Sequence, residues 1–258
     1  MFNILRTRLK FGNRTAPLPK PGETPVGEGF RGLPRLSGNA CPEGCRECEA
    51  ACPTGAVRGG AGRGDEGGPR IDLGTCLFCP ECSRACPHGA VGFTREHRLA
   101  ASERKALEVG PGAGPPPVRP MPPNLRKLFG RSFKLRQVSA GGCNGCEAEL
   151  IVTGTLVFDL SRFGVQFVAS PRHADALVVT GPVSKNMRLA LEKTYAALPA
   201  PKLVIASGAC AIGGGPFRGS PEAHDGVGDL LPVDLWIPGC PPHPWTVVDG
   251  ILRLMGRL

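Results

Sequence analysis

Twelve cysteines in 258 residues are the side chains best suited to chemistry, and their spacing sorts them into three sets. One run is Cys76-x2-Cys79-x2-Cys82-x3-Cys86-Pro87. A second, Cys41-x3-Cys45-x2-Cys48-x3-Cys52-Pro53, has one more residue between its first two cysteines. The remaining four, Cys143, Cys146, Cys210 and Cys240, are scattered. A Cys-x2-Cys-x2-Cys-x3-Cys-Pro run wraps three thiolates around one [4Fe–4S] cluster and sends the fourth to another. By that crossing rule one cluster takes Cys41, Cys45, Cys48 and Cys86, and a second takes Cys52, Cys76, Cys79 and Cys82. Structural zinc is the competing reading of any Cys-x2-Cys pair. Two quadruplets that share a Cys-Pro ending point to iron instead.

The scattered set lies in Gly142-Cys143-Asn144-Gly145-Cys146-Glu147, Gly208-Ala209-Cys210 and Pro238-Gly239-Cys240-Pro241-Pro242. Glycine allows close backbone approach and unusual φ/ψ, and the N–H groups such loops free can bond to sulfur. These four cysteines are read as ligands of a third [4Fe–4S] cluster. Inert buried cysteines are the alternative.

The elements that must position these residues follow from pattern. Residues 45–57 and 79–91 match at nine of thirteen positions with an offset of 34, so the first part is a duplicated, two-cluster ferredoxin fold of α+β type. Beyond it, β-rich runs at Phe133–Val138, Val165–Ala169, Ala176–Thr180, Lys202–Ala206 and Val233–Ile237 alternate with helical stretches such as Cys146–Thr155 and Ser184–Ala197. That alternation predicts an α/β domain with a flavodoxin-like parallel sheet. Cysteines follow three of the five runs, where open α/β sheets gather ligands. Residues 99–109 read as a short helix. The Pro/Gly stretch 110–123 reads as a linker. The division is then 1–40, a basic arm; 41–98, the ferredoxin domain; 99–132, helix and linker; and 133–258, the sheet domain.

Composition excludes several classes. The net charge of +9 invites a nucleic-acid reading, but no nucleic-acid motif or aromatic-interleaved basic helix accompanies it. The sequence has no run of 18 apolar residues and no secretory signal, so the cysteines are read as reduced thiols in a cytoplasmic setting. The GGG at 213–215 lacks the Lys-Ser/Thr of a phosphate loop. No nucleophile–base constellation marks a complete active site, and no catalytic residue is assigned.

CNGCEAEL, FDLSRFGVQFVASPRHADALVVTGPV, SGAC and PVDLWIPGCPPHP resemble the small subunit of membrane-bound group 4 [NiFe] hydrogenases of the formate hydrogenlyase type. The same segments are similar to the cluster-bearing 20 kDa, B-type subunit of NADH-quinone oxidoreductase (complex I). That subunit places its first two ligands as adjacent cysteines, whereas Cys143-x2-Cys146 has the hydrogenase arrangement. Ala211-Ile212 depart from the small polar residues more usual after the third ligand. The N-terminal half resembles the polyferredoxin-type partner of the same complexes, so the chain reads as a fusion of two subunits. The resemblance implies an electron-transfer subunit relaying electrons through three clusters to a [NiFe] large subunit that reduces protons. It implies as further partners membrane-embedded subunits and a donor protein such as a formate dehydrogenase or ferredoxin, with no nucleic acid. The place implied is peripheral, on the cytoplasmic side of the inner membrane, with no transmembrane segment. The rival readings are the equivalent subunit of a complex I-like NADH- or ferredoxin-quinone oxidoreductase, and an iron–sulfur assembly or structural protein without turnover.

Weaker features remain. Phe2, Ile4, Leu5, Leu9 and Phe11 with Arg6, Arg8, Lys10 and Arg14 suit an interfacial helix or a frayed basic tail. Arg119–Arg136 holds six positive and no negative residues, and reads as a docking surface or solvated linker. Glu147 or Glu149 could serve a proton path, or be a carboxylate at a helix N-terminus. His173 and His243 are either polar partners of the third set or ordinary packing residues.

Overall fold

The computed structural model describes residues 2–12, 14–20, 23, 26–38, 41–42, 44–59 and 68–258. The duplicated part is built of two units with the same plan. In the first, β1 (Pro34–Leu36) leads through the Cys41 run and α2 (Glu47–Ala50) to β2 (Val57–Arg58). In the second, β3 (Arg70–Asp72) leads through the Cys76 run and α3 (Glu81–Ala85) to β4 (Val91–Phe93). Strands pair across the units rather than within them. β1 is antiparallel to β4, with Leu36 opposite Val91, and β2 to β3, with Val57 opposite Ile71. Both units turn the chain after their Cys-Pro ending through a left-handed glycine, Gly55 at φ 62° and Gly89 at φ 61°, a conformation that costs glycine little. The N-terminal helix α1 (Phe2–Phe11) buries none of its residues.

The predicted helix over 99–109 does not form. Arg104–Leu107 make a single 3-10 turn, and β5 (Glu108–Val109) adds a third strand to β2 and β3, with Val109 opposite Ile71. Pairing wins because it buries Leu107 and Val109 in the core, which a solvent-side helix would not. Ala101 also exchanges both backbone hydrogen bonds with Trp236 of the following part. The predicted linker is likewise packed. Arg253 Nη1 donates to Pro116 O at 2.9 Å, Met121 N to Leu254 O at 2.8 Å, and Arg119 N to Ser102 Oγ at 2.8 Å. The basic stretch beyond it contains α4 (Pro123–Phe129).

The second part is a five-stranded, wholly parallel sheet of β6 (Phe133–Ser139), β7 (Val165–Phe167), β8 (Ala176–Thr180), β9 (Leu203–Ser207) and β10 (Leu235–Ile237). The order β10-β9-β8-β6-β7 is the flavodoxin-like winding, with its switch point between β6 and β8. Every residue of β8, β9 and β10 is buried, as continuous apolar runs in a two-sided parallel sheet require. Four helices complete it: α5 (Gly145–Val152), α6 (Lys185–Ala197), α7 (Ala209–Gly213) and α8 (Pro244–Leu254). One buried cluster is continuous from Leu33, Ile71 and Phe78 to Leu177, Ile212 and Trp236, so the two parts share a core. The other lies around α8 and takes in Val26 of the N-terminal arm.

Candidate metal centres

The scattered cysteines come together at the carboxyl ends of the strands. Cys143 stands on the β6–α5 loop and Cys146 in the first turn of α5, into which Asn144 turns the chain at φ 70°. Cys210 lies in α7 directly after β9, and Cys240 follows β10. Glycines shape the cradle. A Cβ on Gly208, at φ 94°, would stand 2.5 Å from Cys146 Sγ, and one on Gly215 would stand 2.9 Å from Cys210 Sγ. Across the switch point a Cβ on Gly181 would meet Gly142 N at 2.5 Å. Nearby Val183, buried and β-branched, is held at φ 58°, a strained conformation.

Three of these thiols are raised by burial and by their neighbours. Cys146 is pushed up to about 12 by burial, then by Cys210, Glu147, Cys240 and Cys143. Cys210 is pushed up to about 11 by burial, then by Cys240, Cys143 and Glu147. Cys240 is solvent-exposed as a residue, yet partial desolvation of its thiol, Cys143 and then Cys79 raise it. Burial and neighbouring thiols oppose ionisation of Cys146, Cys210 and Cys240, and a cation bound there would relieve both.

The two runs meet in crossed fashion. Burial raises Cys48, then Cys86 and Cys41 do. Cys76 is pushed up to about 12 by burial, against an N–H bond from Phe78, with Cys82, Cys52 and Cys79 adding to the rise. Cys82 rises to about 11 through burial, then Cys79, Cys52 and Cys48. Cys76 and Cys82 thus feel Cys52, and Cys48 feels Cys86, while Cys82 also feels Cys48. Backbone donors already point at sulfur: Ala56 N to Cys52 Sγ and Ala90 N to Cys86 Sγ, both 3.2 Å, and Phe78 N to Cys76 Sγ at 3.3 Å. The first two are equivalent across the repeat. N–H···S bonds of this kind favour thiolate and tune a cluster's potential, so the donor set fits iron–sulfur centres. Cys45 is half-buried ahead of α2, its N–H bonded to Pro42 O at 3.2 Å. Glu43, between Cys41 and Cys45, lies outside the described residues.

Of the weaker candidates, His243 lines a cavity of about 180 Å³ together with Cys240, Phe78 and Leu77. His173 is exposed in a turn before β8, at the end of the sheet away from the cysteines. Glu147 is buried and accepts from Thr180 Oγ1 at 2.6 Å. Burial raises it, but Ser139 and Thr180 outweigh that and hold it below the usual carboxylate range. Phe78, left-handed at φ 54°, carries geometry that no spacing rule signals, while Gly208 makes the close approach to sulfur that its place beside Cys210 suggested.

A parallel sheet with one cysteine set at the carboxyl ends of its strands, behind a duplicated two-run cysteine domain, defines an iron–sulfur electron-transfer subunit of the oxidoreductase type. Residues 143–254 match the family model described as NADH ubiquinone oxidoreductase, 20 Kd subunit, and residues 40–90 match a 4Fe-4S dicluster domain. The chain is 43% identical over 134 residues to a probable membrane-bound hydrogenase subunit, mbhJ, of Pyrococcus furiosus, covering 52% of this chain and 80% of that protein. It is 41% identical over 152 residues to the B-type subunit of the NADH-quinone oxidoreductase of Desulfovibrio desulfuricans, covering 58% of this chain and 80% of the relative. Formate hydrogenlyase subunit 7 of Escherichia coli is 40% identical over 141 residues, 55% of either chain. The chain belongs to the 20 kDa subunit family of NADH ubiquinone oxidoreductase, with a 4Fe-4S dicluster domain joined ahead of it.

Proposed function

We propose that this chain is the electron-transfer subunit of a membrane-associated hydrogenase complex. In this reading it carries three [4Fe–4S] clusters, on Cys41/Cys45/Cys48/Cys86, Cys52/Cys76/Cys79/Cys82 and Cys143/Cys146/Cys210/Cys240. The observation that carries the reading is the meeting of the second and third sets: the Cys240 thiol feels the charge of Cys79, and Leu77, Phe78 and Cys240 line one cavity. Bound clusters supply one-electron transfer, and the protein spaces, shields and tunes them. Exposed Cys143 and Cys240 put the third set at the surface, where a partner can take electrons. A reduced donor protein, a formate dehydrogenase or ferredoxin, gives two electrons per turnover at the cysteine-rich part. A [NiFe] large subunit joins them to two protons to form H2. Attachment is peripheral, through membrane-embedded subunits on the cytoplasmic side of the inner membrane. Among the described residues no helix is long and apolar enough to cross a membrane. The functional units are 41–98 and 133–258, with 99–132 as the strap between them.

The match to a B-type subunit of NADH-quinone oxidoreductase supports a second reading, the equivalent subunit of a quinone-reducing complex. A large-subunit partner with cysteine ligands for nickel separates the two. Anaerobic reconstitution is expected to load about twelve iron atoms, four for each set of four cysteines; zinc, or about four irons, overturns the three-cluster reading. Cys240→Ala, assembled with its partners, should still accept electrons from dithionite into the first two sets while H2 evolution or quinone reduction collapses. Full turnover in that variant would show that electrons leave elsewhere.

A further inference from the structure

The cysteine-rich part touches the sheet part at the segment that enters the Cys76 run. Asp72, the last residue of β3, organises it. Its carboxylate accepts from Gly74 N at 2.9 Å and from Thr75 Oγ1 at 3.0 Å, while its carbonyl accepts from Cys76 N at 3.0 Å. Thr54 Oγ1, two residues after Cys52, donates to Thr75 O at 2.9 Å, so both halves of the second cysteine set hang on this turn. Arg104 grips the same carboxylate with both ends of its guanidinium, Nη1 to Oδ1 at 2.7 Å and Nη2 to Oδ2 at 2.6 Å. Burial pushes Asp72 up, but Arg104 and the turn's donors outweigh it and hold the carboxyl below its ordinary range.

The other face of this turn lies on α7, the helix of Cys210. A Cβ on Gly74 would stand 2.6 Å from Ile212 Cγ2 and 2.7 Å from Arg104 Cζ. One on Gly213 would stand 2.5 Å from Thr75 Cγ2 and 3.7 Å from Arg104 Nη2. Glycine faces side chain in both directions, so the two surfaces are in full contact, with the guanidinium at their margin. A bidentate Arg–carboxylate pair fixes distance and orientation together.

We propose that Arg104 is a positioning residue: by clamping Asp72 it holds the turn before Cys76 against the Cys210 helix and so sets the spacing between the second and third cysteine sets. The proposal rests on the relay reading above. Tunnelling falls exponentially with separation, so a small loosening at this contact slows transfer between the sets while leaving each set intact. Arg104 touches no cysteine in this role, and it comes from the strap, outside both cysteine-bearing parts.

The test uses the full reconstituted chain and Arg104→Met. Four quantities are read: iron content, the potential of each centre, the magnetic splitting between the reduced second and third centres, and the rate at which electrons entering the cysteine-rich part reach the third. Iron should match wild type, the potential of the second centre should fall with the loss of a neighbouring positive charge, the splitting should weaken, and transfer should slow. Arg104→Lys, which keeps the charge and loses the fork, should fall between the two. A wild-type splitting and rate in Arg104→Met overturn the proposal. If Arg104→Met loses iron, Ile212→Ala replaces it, since it removes the packing beneath Gly74 without touching the ion pair. An unchanged splitting there, and in Arg104→Lys, overturns the proposal equally. A wild-type chain with no splitting and no transfer would instead sink the relay reading, and the proposal with it.

Discussion

Cys52 closes the first run in sequence, and in space it adds to the charge felt by Cys76 and Cys82 of the second. Cys52→Ala should therefore damage the centre of Cys76, Cys79 and Cys82 and spare that of Cys41, Cys45 and Cys48. Spectra of the variant check this, and a loss confined to the Cys41 centre contradicts it. Gly208→Ala should cost the third centre, about four irons of twelve. Its Cβ has to fit 2.5 Å from Cys146 Sγ in a left-handed backbone. Iron analysis reads the outcome. The cysteine sets can be proposed from sequence because ligand spacing is a local rule. The left-handed turn at Phe78 was not legible, because no composition rule marks an aromatic residue at φ 54°, and for Gly208 the sequence shows a permissive residue but not that Cys146, 62 positions earlier, is the sulfur against it.

At the scale of elements, the five parallel strands were legible to within about two residues at each end, since β8 and β9 are unbroken apolar runs. The segment from Leu99 to Met121 was not. Its local pattern suggests a helix and a linker, but its partners are remote: β3 for Val109, Trp236 for Ala101, and α8 for Pro116 and Met121. Arg253 secures it, bonding Asp249 at 2.8 Å, Pro116 O at 2.9 Å and Ala100 O at 3.2 Å. Arg253→Met strands a buried carboxylate and unties the strap. It should cost about 3 kcal/mol, read as a lower urea midpoint with an unchanged slope. A loss under about 0.5 kcal/mol, the range of ordinary surface changes, would mean that the strap is held by its backbone bonds alone.

For the molecule as a whole, the shared core makes one prediction about its two halves. Because buried side chains run without a break from Ile71 and Phe78 into Leu177 and Trp236, a single cut engineered within 111–115 should leave two fragments that co-elute on gel filtration. Separation of the fragments under native conditions would show that the strap, and not the core, joins the parts. Composition read the strap as a boundary because glycine and proline mark the absence of regular structure, and that is a different property from the absence of packing.

The crossed pairing of the duplicated part makes its two units depend on each other. One unit alone would leave both of its strands without these partners, since β1 pairs with β4 and β2 with β3. Each unit is completed only by exchanging strands with its near copy, so neither can be deleted without undoing the other. The 34-residue offset is the repeat length that keeps the two exchanges in register, and the additional residue between Cys41 and Cys45 lies outside the stretch that matches between the copies.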